Sequence, residues 1–501
     1  SGRDMDKLVP LNLPPGMRNT GTVYQSKGRW YTGNFVRFFQ DTIQPIGGWV
    51  ARSHTGAAIT GTPRALIGYL VNGTATWVLG TTSGLFSVTA MTATGGTVTD
   101  ITPAGFSDQS ARIWQFDVLG DYLIAVDQYP TGGPMYYWDG NVANDAVVIV
   151  NGPAAGFGST AARASSLVVT PERFLVMLGG IRPGTTTVPP AVAVASDRMV
   201  AWATQEAGLV EADWIAATTN SAGDFMLTTA GRLKCGKRSR GGTLLFTTTD
   251  LWNMTWIGGD FVYRFDQVGD KCGIISSNAA IINDTAAFWM GTDGFYMYDG
   301  FVKPIPCDVY DYVFGSINRT YESLVWVIEN AIYGEVTWFY PHAAQTECTR
   351  YVTYNFRENH WVTGTLGRVC GYGFPPRAGL QTLPVMVTSG RTFYNHETGS
   401  GRASEGTPSL ESGPVEIGDG DRWMSLQRVI PDDDTVGDVN LTIFTAPDPD
   451  TAETSNGPYT LTAHTTIRLM ARQIRVKLTE AVAAAWRVGT IRLGLRESSR
   501  R

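Results

Sequence analysis

Two stretches of the chain, Met135-Tyr136-Tyr137-Trp138-Asp139-Gly140 and Phe295-Tyr296-Met297-Tyr298-Asp299-Gly300, are near copies of one another. Each is an aromatic strand end running into Asp-Gly, a pair that supplies the positive φ of a tight hairpin turn. Looser copies stand at Gly84-Leu85-Phe86-Ser87-Val88, at Tyr351-Val352-Thr353-Tyr354-Asn355-Phe356 and at Arg391-Thr392-Phe393-Tyr394-Asn395. Where neighbouring copies are detectable they lie about 40 to 60 residues apart, which fits a four-stranded propeller blade better than the shorter solenoid periods. Function is then expected on blade loops, around a central channel, or in an appended module.

The composition agrees with many short strands joined by turns: 57 Gly, 15 Trp, 20 Tyr and 21 Phe in 501 residues, with 17% charged side chains. A formal net charge of -6 gives no global basic field to hold nucleic acid, so DNA meeting this protein is expected to slide. No run reaches the roughly 18 apolar residues of a membrane helix, and Ser1-Gly2-Arg3-Asp4-Met5-Asp6-Lys7 has no signal-peptide character. Cys235, Cys272, Cys307, Cys348 and Cys370 are odd in number and lack CxxC spacing, which signals neither a disulfide framework nor a zinc site. Folding in a reducing cytoplasm is the expectation. The sequons at Asn72, Asn253, Asn283, Asn318 and Asn440 follow from abundant Thr and are read as incidental.

The expected fold is all-β: a β-propeller with an additional β-sandwich-like module formed by the C-terminal region and the N-terminal arm. Residues 1–48 read as a Pro/Gly-punctuated arm and strands, 49–400 as the propeller and 401–501 as a C-terminal β module, or platform. Apolar runs at Trp77-Val78-Leu79-Gly80, Tyr122-Leu123-Ile124-Ala125-Val126, Phe174-Leu175-Val176-Met177-Leu178 and Ala287-Phe288-Trp289-Met290-Gly291 predict inner or central blade strands. Gly, Ser, Glu and Pro crowd residues 398–414 and predict a linker. Beyond it, Ile474, Val476 and Leu478 alternate with Arg475 and Lys477, as in a sheet with one wet face.

No catalytic residue emerges. A glycosidase needs two carboxylates at fixed separation, and the Thr248-Thr249-Asp250-Leu251-Trp252-Asn253 turn has Trp where a sialidase Asp-box requires Gly. Asp432-Asp433-Asp434 and Asp448-Pro449-Asp450 read as solvated loop charges. The five histidines are scattered, and His360 reads as a surface or turn residue. Nucleotide, zinc-protease and nucleophile-elbow fingerprints are missing, so no enzyme, cofactor or metal is expected. Arg232, Lys234, Lys237, Arg238 and Arg240 place five cations in nine positions, which reads as a solvated loop or as a contact with phosphates or an acidic partner. Arg496, Arg500 and Arg501 read as an ordinary tail. An arm without its own core must bury Trp30, Phe35 and Phe38 elsewhere, which makes them candidates for oligomer or adaptor contact.

From Thr243 onward runs such as Leu244-Leu245-Phe246-Thr247-Thr248-Thr249-Asp250-Leu251-Trp252-Asn253-Met254, Trp289 to Gly300, Val302-Lys303-Pro304-Ile305-Pro306-Cys307, Asp311 to Asn318 and Glu335-Val336-Thr337-Trp338-Phe339-Tyr340 follow in order. With Gln44-Pro45-Ile46-Gly47-Gly48-Trp49 near the start, and Gly418-Asp419-Gly420-Asp421-Arg422, Arg472-Gln473-Ile474 and Trp486-Arg487-Val488-Gly489-Thr490-Ile491 near the end, the chain resembles the tail stabilisation or nozzle proteins of short-tailed bacteriophages. The resemblance is best over residues 243–359 and weak over 51–231. It implies a structural virion protein, assembled in the host cytoplasm, that forms a homo-oligomeric ring, a hexamer as the family is usually described. It further implies a portal or adaptor partner above, tail fibres, spikes or a needle as neighbours, and non-specific passage of double-stranded DNA, with no membrane. The competing reading from another class is a carbohydrate-binding or glycoside-cleaving propeller, since Trp and Tyr stack on sugars.

Overall fold

The computed structural model describes residues 7–128, 133–149, 164–180, 197–373, 384–417 and 420–498. Seven of its sheets are the blades of a β-propeller. Their inner strands are Pro63–Val71, Trp114–Leu119, Ala164–Val169, Leu233–Ser239, Ala280–Ile282, Trp326–Asn330 and Cys370–Tyr372. Each packs against the next, and the seventh returns to the first. The blades are numbered 1 to 7 in this order.

The aromatic copies all have one place in this architecture. Leu85–Thr89, Met135–Trp138, Phe295–Tyr298, Cys348–Asn355 and Phe393–His396 are the third strands of blades 1, 2, 5, 6 and 7. Their rings fill the wedge between neighbouring blades: Phe295, for example, lies 4.9 Å from Trp338 and 4.6 Å from Trp361 of blade 6. The apolar runs read as inner or central are second strands, buried on both faces; Val78, Leu79, Ile124, Val176, Met177, Phe288 and Trp289 are inaccessible. In blade 5 the Asp299-Gly300 turn joins Tyr298 to Val302 with Gly300 at φ 119, a conformation that favours glycine. Asp139-Gly140 instead opens a longer loop that ends at Val147.

Blade 7 is closed from the other end of the propeller. Trp49–Ala51 pairs with Phe393–His396, so a strand that precedes blade 1 in sequence supplies the outermost strand of the last blade. This closure converts an open array, which would have two free sheet edges, into a ring.

Before that strand and after blade 7 the chain builds a β-sandwich. One sheet has the order Lys7–Pro10, Ile491–Glu497, Met424–Pro431, Thr465–Ala471; the other has Trp30–Asn34, Ser409–Ser412, Gln473–Glu480, Val439–Ala446, Thr454–Thr460. Both therefore combine N-terminal and C-terminal strands. The stretch read as a linker is tied down: Gly48 N–H donates to Gly399 O and Trp49 N–H to Gly401 O, both at 2.8 Å, and Ser409–Ser412 already belongs to the sandwich. The close approach depends on Gly48, where a Cβ would come within 2.3 Å of Gly401 O.

The expectation that Trp30, Phe35 and Phe38 contact another subunit is corrected by their burial, at 3%, 0% and 3% exposure. They are anchors within the chain. Trp30 and Phe38 enter the core shared by the sandwich and blades 4 to 6, and Phe35 packs edge-on to Trp49 at 5.2 Å. Removing residues 1–40 would strip a strand from each sandwich sheet, so that truncation tests folding before it tests assembly.

The hairpin Val36–Phe39/Thr42–Pro45 brings Arg37 between blade 6 and the end of blade 7. Arg37 donates to Glu335 at 2.9 and 3.0 Å and to Glu397 at 2.6 and 3.0 Å. Breaking a buried pair leaves an uncompensated charge. Arg37→Ala is expected to cost about 3–5 kcal/mol in urea unfolding, whereas Arg319→Ala, which breaks a largely exposed pair with Glu322, is expected to cost under about 1 kcal/mol.

Candidate functional site

The basic run is an inner strand and not a loop. Leu233–Ser239 walls the propeller's central cavity, a space of about 410 Å³ whose lining includes Arg64, Gln115, Asp117, Lys237, Arg238 and Tyr372. That volume is in the range of small-ligand pockets, roughly 300–1,000 Å³; a DNA duplex does not fit through it.

The five cations are separated along the strand. Arg232 is exposed and meets Asp197 at 3.4 Å. Lys234 is largely buried, which lowers its pKa, with Glu322 opposing the shift. Lys237 and Arg238 face the cavity, where Arg238 Nη2 lies 2.7 Å from Asp117 Oδ1. Arg240, beyond the strand, sits 3.6 Å from exposed Asp284. The structure brings Lys237 and Arg238 into one place and does not gather the five.

Asp117 is the carboxylate among the residues lining this cavity, and its oxygens are occupied. Oδ2 accepts the Val169 N–H at 2.7 Å across the blade 2–3 boundary, and Oδ1 accepts from Val118 N–H at 2.8 Å as well as from Arg238. Gln115 continues the tie: its Nε2 donates to Ser277 O at 2.7 Å and its Oε1 accepts from the Ser166 hydroxyl. Arg64 is held by Glu347 through two bonds of 2.7 and 2.9 Å. The polar groups of the channel thus cross-link blades.

Between blades 4 and 5 an open cleft collects Asp250, Asp270 and Asp293 with Thr229 and Thr249. Asp250 is buried and accepts from Thr229 Oγ1 at 2.6 Å, from Gln267 Nε2 at 3.3 Å and from the Thr247 hydroxyl, the mark of a turn-forming carboxylate. His360, read as a surface residue, is 5% exposed, edge-on to Phe38 at 5.6 Å, and burial lowers its pKa. The five cysteines are free. Among the described residues no cluster of three or more metal-binding side chains occurs and no helix is long and apolar enough to cross a membrane. Arg500, Arg501 and the Gly418-Asp419 pair lie outside the described residues.

No protein-family profile and no curated protein matches the chain. Among solved structures it is similar to the Neurospora crassa Pan2 WD40 domain, at 9% identity over 71% of this chain and 95% of that one, TM-score 0.39. The AfRom2 CNH domain aligns at 9% identity over 70% and 98%, TM-score 0.37. A glycoside hydrolase aligns at 9% over 87% and 98%, TM-score 0.27. At these values the likenesses carry no argument about function.

If Asp117 ties blades together, its loss matters more than that of its cation. Asp117→Ala orphans the Val169 N–H and is expected to cost about 1–3 kcal/mol. Arg238→Ala removes a half-exposed guanidinium and leaves Asp117 its two backbone donors, so it is expected to cost under about 1 kcal/mol. Urea titration of both variants checks the order.

Proposed function

We propose that this protein is a structural component of a short phage tail, a nozzle subunit that assembles as a homo-oligomeric ring below the portal and adaptor and extends the DNA conduit. The observation that carries the reading is where the resembling segments lie. Residues 243–254 and 289–300 supply strands of blades 4 and 5, and Glu335–Pro341 a strand of blade 6. Gln44 to Trp49 leads into the closing strand, and Arg472 to Ile474 with Trp486 to Ile491 lie in the sandwich. Most of these segments contribute to one continuous core joining blades 4 to 6 to the sandwich, through Phe246, Trp289, Phe295, Trp338, Ile474 and Trp486. Blades 1 to 3, where the resemblance is weak, pack largely in separate clusters.

A fused platform and propeller suits a subunit that transmits load between a ring and its attachments. Catalysis finds less support in the central cavity: glycoside cleavage needs a pair of carboxylates across a pocket, and Asp117, the one carboxylate among the described residues lining this cavity, is already bonded to Arg238 and Val169. A heterologous interface that closes by rotation gives a ring. Mass photometry and negative-stain images of the recombinant chain, alone and with its adaptor, are expected to show closed rings. A strictly monomeric protein that turns over a glycan would replace this reading with the carbohydrate-active one.

A further inference from the structure

The two outer faces of the sandwich carry their charges differently. On the sheet containing Gln473–Glu480 the cations are matched: Arg475 meets Glu411 at 2.5 Å and Glu453 at 2.7 Å, and Lys477 meets Glu411 at 2.7 Å. Among the described residues the opposite sheet shows no such ion pairs on its outer face. There Ile491, Leu493 and Leu495 point into the core, so Arg492, Gly494 and Arg496 point out by the period of two. Leu426, Val429, Ile467 and Ala471 likewise point inward, which leaves Arg428 and Arg468 on the same outer face.

These arginines form one patch. Arg492 and Arg496 are four residues apart on a strand, about 13 Å, and Arg468 is two strands away, about 10 Å. Arg428 lies across Gly494, where a Cβ would come within 2.5 Å of its Cγ, so glycine makes room for the side chain. Arg468, Arg492 and Arg496 are exposed, and none of the four makes an ion pair among the described residues. The adjacent carboxylate, Glu497, is taken by Arg422 at 2.8 Å.

We infer that this face is the chain's contact for the phosphate backbone of duplex DNA, an inference that rests on the conduit reading and gives it a surface. All four cations are arginine, whose planar fork matches phosphate oxygens. Beside the arginines the outer face carries Ser425 and Thr466 with the apolar Leu8, Ile430 and Met470, none of which is a ring that stacks unpaired bases, and Trp423 at its edge is covered by Arg472 at 5.4 Å. Backbone contacts of this kind position a duplex without reading its sequence, which suits passage. In a protein of net charge -6, four cations per chain grip weakly and release in salt.

The test uses the full chain and a labelled duplex of mixed sequence, followed by fluorescence anisotropy across a salt series, with mass photometry and melting curves alongside. Wild type is expected to bind with a dissociation constant of about 10⁻⁴ to 10⁻⁶ M and a log–log salt slope near -3 to -4 per chain engaged. The Arg468→Glu/Arg492→Glu/Arg496→Glu variant is expected to keep its melting curve and oligomeric state, to lose at least about tenfold in affinity and to flatten the slope. Arg232→Glu/Arg240→Glu, on the propeller, is expected to bind as wild type does. Unchanged binding by the triple variant, loss confined to the propeller variant, or binding of polyglutamate in place of duplex overturns the inference. Ring formation is scored separately: a monomer that binds duplex through these arginines keeps the inference and removes the conduit reading.

Discussion

Arg37 is the charge on which the rest of the arrangement depends. It sits on the hairpin between sandwich and propeller, 3% exposed at its side chain, with Glu335 of blade 6 at 7% and Glu397 just past blade 7 at 13%. Burial alone would lower its pKa; the two carboxylates overcome that and raise it above the usual arginine value. A cation so placed is tolerated because its bonds to both partners are short and nearly complete. The same hairpin leads to Trp49–Ala51, the strand that closes the ring, and Glu397, one of the two partners of Arg37, directly follows the strand it pairs with. Arg402 with Glu480, and Arg368 with Glu405, repeat the device at the same junction. The sandwich and the propeller are in consequence joined by buried polar clamps as well as by a common apolar core.

The sequence is most legible where a blade repeats its third strand, because those strands carry aromatic rings that fill the wedge between blades and, in blades 2 and 5, run on into Asp-Gly. Blades 3 and 4 escape the pattern because their third strands, Met199–Trp202 and Asp250–Trp256, carry their rings as isolated tryptophans. Inner strands were hardest to see. Leu233–Ser239 has Lys and Arg where an apolar run is expected, since its edge faces a polar cavity, and its cations look like a loop when read in one dimension. Residues 398–414 read as a slack linker, yet they are tied down by the Gly48 and Trp49 N–H groups, and it is the missing Cβ of Gly48 that lets the two segments approach.

The arginine face shows what chain order conceals. Arg428, Arg468, Arg492 and Arg496 are spread over about 70 residues of sequence, and Arg496 reads as part of a basic tail until it is seen on the strand Ile491–Glu497. Only the pairing of three strands brings them to one surface, whereas on the partner sheet Arg475 and Lys477 are matched by Glu411 and Glu453. An acidic chain can thus keep a low net affinity for DNA and still present one directed contact.

The most direct measurement is a strand-resolved cryo-electron microscopy reconstruction of the assembled oligomer. The expected result is a closed ring in which Arg468, Arg492 and Arg496 face the axis and the propeller's own channel lies off it. A ring with those arginines on its outer surface, or a duplex density threading the propeller channel, would contradict it.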